Sequence, residues 1–260
     1  MSASLLYEKE GRVATLVLNR PDAANALDPE TMDALAAAWE DFARDDEVWV
    51  AIITGAGDRF FCAGADLKKT PPPPESFAVG LFSRDGGPRI APPPDLWKPT
   101  IAAINGMAIG GGLEIALACD LRIASETAQF GFGEVRVASI PGQGGTQRLT
   151  RAVPMAVAMK MLLTGQRIDA REAWRVGLVS DLCPPDQLIE SARGLARAIC
   201  ENGPLAVRAA KMAALEGLNV PLRSGLLLES QLWGILRDTE DRIEGRKAFG
   251  EKRPPNYRGR

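Results

Sequence analysis

The 260-residue sequence predicts an α/β core followed by a helical C-terminal appendage that begins at about residue 200. Strand-like and helix-like segments alternate in the first part of the chain, whereas the pattern after Pro185 is helical, with breaks near residues 203 and 221. Two strand-like runs, 48–53 and 100–104, are apolar without alternation. Such runs are typical of strands that helices cover on both faces.

The first helix is predicted between strands at 13–18 and 48–53. Asp28 is a favourable N-cap, and Pro29 suits the first helical position, where its missing N–H costs nothing. We expect this helix to run to about Arg44, because its apolar residues recur at helical spacing.

The remaining elements follow in the same alternating order. A run of glycines at 110–112 is expected to open an apolar helix over 113–119, directly after the strand at 100–104. Further along, the pattern predicts a strand at 121–124, helices at about 146–152, 155–163 and 169–175, and a strand at 178–182. The sequence shows no clear repeat of fixed period.

A proline-rich segment over residues 70–95 interrupts the core. It holds four consecutive prolines at 71–74 and three more at 92–94, with glycines between them. Such a composition predicts a long loop rather than regular structure. A functional loop and a tolerated surface insertion are equally compatible with the sequence.

Charge and composition exclude several classes of function. The chain has 31 basic and 33 acidic side chains, so it lacks the basic field that would attract nucleic acid or an anionic membrane. Neither a signal peptide nor a run of roughly 18 apolar residues is recognisable. The cysteines lack CxxC spacing, and we expect buried free thiols and a cytoplasmic location. They are Cys62, Cys119, Cys183 and Cys200.

The sequence contains no histidine. This excludes Ser-His-Asp and Cys-His catalysis, HExxH zinc sites and histidine general bases. Acid/base chemistry near neutral pH would therefore fall to carboxylates, Lys, Tyr, Cys or the backbone. We expect neither a metal nor a separate cofactor.

Two junctions between a strand and a predicted helix, 60–67 and 109–114, are rich in small residues. Helix N-termini carry unpaired N–H groups, and small residues let a ligand approach the backbone. Two such ends aimed at one oxygen would form an oxyanion hole. The glycines could equally serve only turns or close packing, and they match neither GxGxxG nor the P-loop.

Glu114 is unusual because it lies in a helix that is apolar on nearly every side. A buried carboxylate is costly unless it is paired, and a costly acid is a candidate for proton transfer. A structural ion pair with Arg122 or Arg148 is an equally valid interpretation. Glu134 follows a Phe-Gly-Phe-Gly stretch and is unremarkable by itself.

Several motifs, in order along the whole chain, resemble the crotonase (enoyl-CoA hydratase/isomerase) superfamily. Residues 63–67 (AGADL) resemble its first oxyanion-hole motif, and residues 104–120 resemble the second. Residues 140–149 and both ends of the chain, over 18–27 and 248–253, match further family stretches.

This resemblance implies a fold and an assembly. The family fold is a spiral of ββα turns with a helical C-terminal trimerisation region, commonly stacked as a dimer of trimers. By this resemblance, residues 1–200 are the spiral core with the active site, and residues 201–260 form the helical oligomerisation region. A homotrimer or homohexamer is expected.

The resemblance also implies a site. The oxyanion-hole N–H groups fall on Ala65 and Gly111, and the acid/base glutamates on Glu114 and Glu134. The expected substrate is an acyl-CoA thioester. Its coenzyme A contacts fall on Ala24, Ala26, Ala63, Asp66, Leu67 and Lys68, with Phe249 and Lys252 reaching a neighbouring subunit's coenzyme A.

The reaction that the resemblance favours is the hydration of a 2-enoyl-CoA, because both glutamate positions are filled. An isomerase, a carnitinyl-CoA-type dehydratase and a non-catalytic acyl-CoA-binding protein are the alternatives. One departure is Gly133, since the family typically has proline before the second glutamate. A glycine there loosens the segment that places Glu134.

Overall fold

The structure, a computed structural model, describes residues 3–69 and 90–260. Its first sheet has six strands in the order β1-β2-β3-β5-β7-β10. β1 and β2 pair antiparallel, and the other neighbours are parallel. The strands are β1 (Leu5–Glu10), β2 (Val13–Leu18), β3 (Val50–Gly55), β5 (Thr100–Ile104), β7 (Leu121–Ser125) and β10 (Asp181–Cys183).

The two central strands, β3 and β5, are buried along their whole length. Their side chains alternate between two hydrophobic clusters, one on each face of the sheet. Ala51 and Ile53 join the larger cluster with the first helix, whereas Val50 and Ile52 join the smaller cluster with the helix at 188–200. The prediction that helices cover both faces is confirmed.

A second, smaller sheet has the order β4-β6-β8-β9. The strands β4, β6 and β8 are parallel neighbours, and β9 joins β8 antiparallel. The four are β4 (Phe60–Cys62), β6 (Met107–Ile109), β8 (Gln129–Gly131) and β9 (Ile168–Asp169). None has more than three residues, and the sequence analysis predicted none of them as a strand. β1 was missed as well.

The helices agree closely with the predicted order. Asp28 caps the first one, its carboxylate accepting a hydrogen bond of 3.0 Å from the N–H of Thr31. The described helices are α1 (Pro29–Arg44), α2 (Gly111–Ala118), α3 (Gly145–Ala152), α4 (Met155–Thr164), α5 (Ala170–Arg175), α6 (Leu188–Cys200), α7 (Pro204–Gly217), α8 (Leu222–Leu236) and α9 (Glu240–Glu251). Short 3-10 turns occur at Pro21–Ala23, Glu134–Val137 and Pro185–Gln187.

Several predicted boundaries were wrong. The strand predicted over 178–182 forms only at Asp181–Cys183, because residues 176–178 close the turn after α5. After β4, residue 65 pairs with residue 27 in an isolated bridge instead of opening a helix, and a turn follows to Lys69. Residues 70–89, which hold most of the predicted proline-rich loop, lie outside the described residues.

Mixed α/β architecture and a helical C-terminal region are thus as predicted. The thiols of Cys62, Cys119 and Cys183 are buried and free, whereas Cys200 is free and only half-buried. In the described ranges, no helix combines the length and the apolar character needed to cross a membrane.

The packing of α2 against β4 is so close that an added methyl group should destabilise the fold. A methyl group at Gly112 would lie 2.7 Å from Cys62 Cβ and closer still to the Cys62 carbonyl oxygen. We expect Gly112→Ala to lower the free energy of unfolding by about 1–3 kcal/mol through overpacking. The matched Gly194→Ala on α6, where a methyl group would make only an ordinary contact of 3.9 Å with Arg197 Nη2, should be neutral or stabilising by up to about 1 kcal/mol. Denaturant unfolding measures both, and an equal effect of the two would contradict this packing.

Candidate active site

Three parallel strands of the small sheet end at one edge, and that edge forms the floor of a cavity of about 470 Å³. Residues 63–65 follow β4, residues 110–111 follow β6, and residues 133–134 follow β8. The described lining is Leu27, Met32, Ala63, Gly64, Ala65, Leu67, Ile90, Ile109, Gly110, Gly111, Glu114, Gly133, Glu134, Val137, Ser139, Ile140, Gly142 and Gln143. Ligands commonly bind at the carboxyl ends of parallel strands.

The backbone after β4 presents the N–H of Ala65 to this cavity. Leu27 pairs with the residues on either side, donating from its N–H to Gly64 O at 2.8 Å and accepting from Asp66 N–H at 2.9 Å. The Ala65 N–H lies on the other side of the chain, where none of the described residues accepts it.

The Gly111 N–H is the second donor, because it stands at the first position of α2, where no helical acceptor exists. Gly64 has φ +87°, and a methyl group there would lie 3.0 Å from Ile109 O and 3.1 Å from Gly111 N. Only glycine therefore lets the two chain segments approach, which brings the Ala65 and Gly111 amides to one place.

Glu114, on the first turn of α2, is 2% exposed. Its Oε1 accepts hydrogen bonds from the N–H of Gln143 at 2.6 Å and of Gly145 at 2.8 Å. Gly145 begins α3, so the carboxylate lies at a helix N-terminus, where the dipole and free amides favour negative charge.

The structural ion pair considered for Glu114 is wrong. Arg122 instead donates to the carbonyl groups of Cys119 and Leu178. Arg148 donates to the Gln143 carbonyl, at 2.9 Å. In the described part of the chain, Glu114 is paired by backbone amides and not by a cation.

Glu134 has a different environment. Its carboxyl is half-buried, and Oε2 is shielded from solvent without a hydrogen-bond partner among the described residues. Burial raises the pKa of Glu134, and repulsion from Glu114 adds to this, although the local amides of Gly133 and Glu134 offset part of the rise. Glu134 thus favours the protonated form more than an exposed glutamate does.

Gly110 sets the position of the Glu134 carboxyl group. It has φ +56°, and a methyl group there would lie 3.0 Å from Glu134 Oε1. Gly133, where the resemblance expects proline, has φ −97° and open space around it. A side chain at residue 110 would therefore crowd the Glu134 carboxyl group, whereas one at residue 133 would not.

Comparison with known sequences identifies the family. Residues 8–260 match the sequence profile described as enoyl-CoA hydratase/isomerase. The chain belongs to this enoyl-CoA hydratase/isomerase family, within the crotonase superfamily.

Relatives and solved structures in the family agree over nearly the whole chain. The chain is 56% identical to an (E)-benzylidenesuccinyl-CoA hydratase of Thauera aromatica, with 97% of this chain and 98% of that protein covered. It is 42% identical to the 2,3-dehydroadipyl-CoA hydratase of Escherichia coli, covering 99% and 100%. A crystal structure of an enoyl-CoA hydratase from Bacillus anthracis superposes with a TM-score of 0.91 at 40% identity, covering 99% and 100%.

The residues expected to contact coenzyme A divide into three groups. Ala63 and Leu67 line the cavity. Ala24 accepts a 3.1 Å hydrogen bond from Ala63 N–H. The second group, close to these two in the sequence or through this bond but outside the lining, is Ala24, Ala26, Asp66 and Lys68. Phe249 and Lys252 lie at the C-terminal end of α9, outside the cavity lining, with Phe249 87% exposed. A role towards a neighbouring subunit stays a prediction for both.

Several residues of the site were not predicted from the sequence. Gln143 and Gly145 are the amide donors to Glu114, and the signal that could have indicated them is a glycine-rich stretch before a helix, which is typical of an anion site. The steric role of Gly110 and the lining by Val137, Ser139 and Ile140 were also not predicted. In the described ranges, no group of three or more cysteine or acidic residues could hold a metal ion.

The pKa of Glu134 offers a test of this geometry. We expect Glu114→Gln to lower the pKa of Glu134, because the repulsion is removed, but not to its ordinary value, because burial is the larger cause and remains. Carbon-13 NMR of labelled glutamate carboxyl groups measures the titration. The exposed change Glu216→Gln should leave it unaltered, and an unaltered titration in Glu114→Gln would contradict the proximity of the two acids.

Proposed function

We propose that this chain is an enoyl-CoA hydratase, which adds water across the 2,3 double bond of an enoyl-CoA thioester. The observation that carries the proposal is the meeting of two unpaired backbone donors and two unlike glutamates in one largely apolar cavity. The hydratase names of the relatives at 56% and 42% identity support it.

The first part of the mechanism is charge stabilisation. The amides of Ala65 and Gly111 would donate to the thioester carbonyl oxygen, which gains negative charge as the double bond is attacked. Both donors are fixed by the backbone before the substrate binds, so no reorganisation is needed. One such donor contributes roughly 10²–10³-fold to kcat.

The second part is proton transfer by the two acids. Two amides donate hydrogen bonds to Oε1 of Glu114, which leaves Oε2 to accept a proton from water. Glu134 suits the role of proton donor because burial and the charge of Glu114 raise its pKa and disfavour its ionised form. The two acids also differ in their partners, since two amides donate to Glu114 whereas Glu134 Oε2 has no hydrogen-bond partner among the described residues.

The atoms balance in a single addition. The water oxygen bonds to carbon 3, and its proton passes to Glu114. The π electrons move toward the carbonyl to give an enolate, which the Ala65 and Gly111 amides hold. Carbon 2 then takes the proton from Glu134. Return of one proton from Glu114 to Glu134 through solvent restores the starting state.

We also propose that the chain works as a homotrimer or a dimer of trimers, with residues 201–260 at the interface. Large apolar side chains on α8 and α9 are exposed in the single chain, among them Leu222 at 77% and Phe249 at 87%. Exposed apolar surface of this kind is typical of association sites.

Hydration of crotonyl-CoA tests the activity through loss of the enoyl thioester absorbance. We expect turnover by the wild type and a loss of roughly 10²–10⁴-fold in kcat in both Glu114→Gln and Glu134→Gln, since each removes one proton-transfer group. Glu216→Gln is the control that should keep full activity.

Other results would contradict the proposed hydratase activity. Absence of turnover across short, long, branched and aromatic enoyl-CoAs would refute hydration. Conversion of 3-enoyl-CoA alone would instead show an isomerase. Tight binding of CoA thioesters without any turnover would show a binding protein.

The Gly110 contact gives a second test with a matched control. Gly110→Ala introduces a methyl group 3.0 Å from Glu134 Oε1 and a strained φ. We expect kcat to fall by roughly 10- to 100-fold because a misplaced group loses much of its effect. Gly133→Ala, beside Glu134 but in open space, should keep kcat near wild type. Equal rates in the two variants would contradict the role of Gly110.

A further inference from the structure

A cluster of charged side chains lies directly behind the Ala65 amide. It consists of Arg20, Asp28, Asp66 and Lys69, and we call it the Arg20 cluster. Arg20 and Asp66 have side chains that are 16% and 13% exposed, and Asp28 only 4%. The charges of these three residues are therefore better shielded from solvent than ordinary surface ion pairs, whereas the Lys69 side chain is 56% exposed.

Arg20 is the member that joins the two backbone segments of the Leu27–Ala65 bridge. Its Nη1 donates to Ala26 O at 2.6 Å, on the Leu27 side. Its Nη2 donates to Asp66 Oδ2 at 2.9 Å, on the Ala65 side. The same nitrogen lies 3.3 Å from Asp28 Oδ2. One guanidinium group thus connects the residues before and after the pair that carries the Ala65 donor.

The remaining contacts join this arrangement to α1. Lys69 Nζ reaches Asp28 Oδ2 at 2.7 Å, and Asp28 also caps α1 through Thr31. Burial alone would raise the pKa of Asp28, but the hydrogen bonds from Lys69 and Thr31 and the charge of Arg20 hold it well below its usual range. Asp28 therefore stays charged, and through it the cluster is anchored to α1.

Nothing comparable is needed for the other donor. The Gly111 N–H is fixed by α2 itself, because its helical hydrogen bonds set the backbone direction. Ala65 lies in a single isolated bridge in an irregular segment, where Leu27 N–H donates to Gly64 O and Asp66 N–H donates to Leu27 O. The direction of the Ala65 N–H depends on keeping residues 26–28 and 64–66 in register, and the Arg20 contacts reinforce those two backbone bonds.

We infer that Arg20 is a positioning residue for the oxyanion hole, acting on the Ala65 donor by holding the two segments of the Leu27–Ala65 bridge together. The inference rests on the proposed function. Lysine cannot replace arginine here without loss, because a single ammonium group cannot serve the Ala26 carbonyl and both carboxylates in the geometry of the planar fork.

The test uses Arg20→Met and Arg20→Lys in the full-length protein, with Arg175→Met as control. Arg175 is an exposed arginine on α5 that pairs with Glu172 at 2.6 Å. The readouts are kcat and KM for crotonyl-CoA hydration and the absorption band of a bound dimethylaminocinnamoyl-CoA. That band moves to longer wavelength as the thioester carbonyl is polarised, so it reports the oxyanion donors and not the general integrity of the fold.

We expect Arg20→Met to lower kcat by roughly 10- to 100-fold, as one donor is misplaced rather than removed. KM should change little, and the band shift should shrink but not vanish, because the Gly111 donor remains. Arg20→Lys keeps the positive charge, so it should fold even if Arg20→Met does not. Its kcat and band shift should lie between those of Arg20→Met and the wild type. Arg175→Met should match the wild type in every readout.

A wild-type kcat and band shift in Arg20→Lys and in folded Arg20→Met would overturn the inference. A raised KM with unchanged kcat and band shift would also overturn it, since that pattern indicates a coenzyme A contact. If the wild type itself neither hydrates enoyl-CoA nor shifts the band, the proposed function fails. A defect confined to the Arg20 variants leaves that function standing.

Discussion

The close approach of the backbones at Gly64 and Gly111 is the constraint on which the rest of the site depends. A methyl group at Gly64 would be 3.1 Å from Gly111 N, so the β4 and β6 strands can end side by side only with glycine there. Gly112 repeats the constraint one residue later, against Cys62. These contacts set the start of α2 against the end of β4. The two unpaired amides and the Glu114 side chain all follow from that placement.

The polar groups of the cavity are held mainly by the backbone rather than by other side chains. Glu114 accepts hydrogen bonds from two backbone amides at the start of α3, and its charge contributes to the raised pKa of Glu134. Backbone donors cannot rotate away or change charge, so the field in the cavity is fixed when the chain folds. The Arg20 cluster supports the Ala65 segment, where Arg20 contacts the Ala26 carbonyl group and the carboxylates of Asp28 and Asp66.

Much of the first sheet and most helices could be predicted because their signals are local. Asp28-Pro29 marks the start of α1, and unbroken apolar runs mark β3 and β5. The second sheet could not be predicted, because strands of two or three residues are too short to show an alternation of apolar and polar residues. For the site, burial of Glu114 followed from its apolar helix, whereas its partners at 143 and 145 depend on tertiary contact. Glu134 gained a role only from the family resemblance.

The carboxyl groups of Glu114 and Glu134 differ in how many hydrogen bonds join them to other parts of the fold. This difference affects which of the two positions can change in evolution. Replacing Glu114 would leave two amide donors at the start of α3 without their acceptor, which is a cost to folding as well as to chemistry. The carboxyl group of Glu134 is met only by amides of its own segment among the described residues. Residue 134 can therefore be exchanged at small structural cost. A new reaction on this scaffold is more accessible through that position than through residue 114.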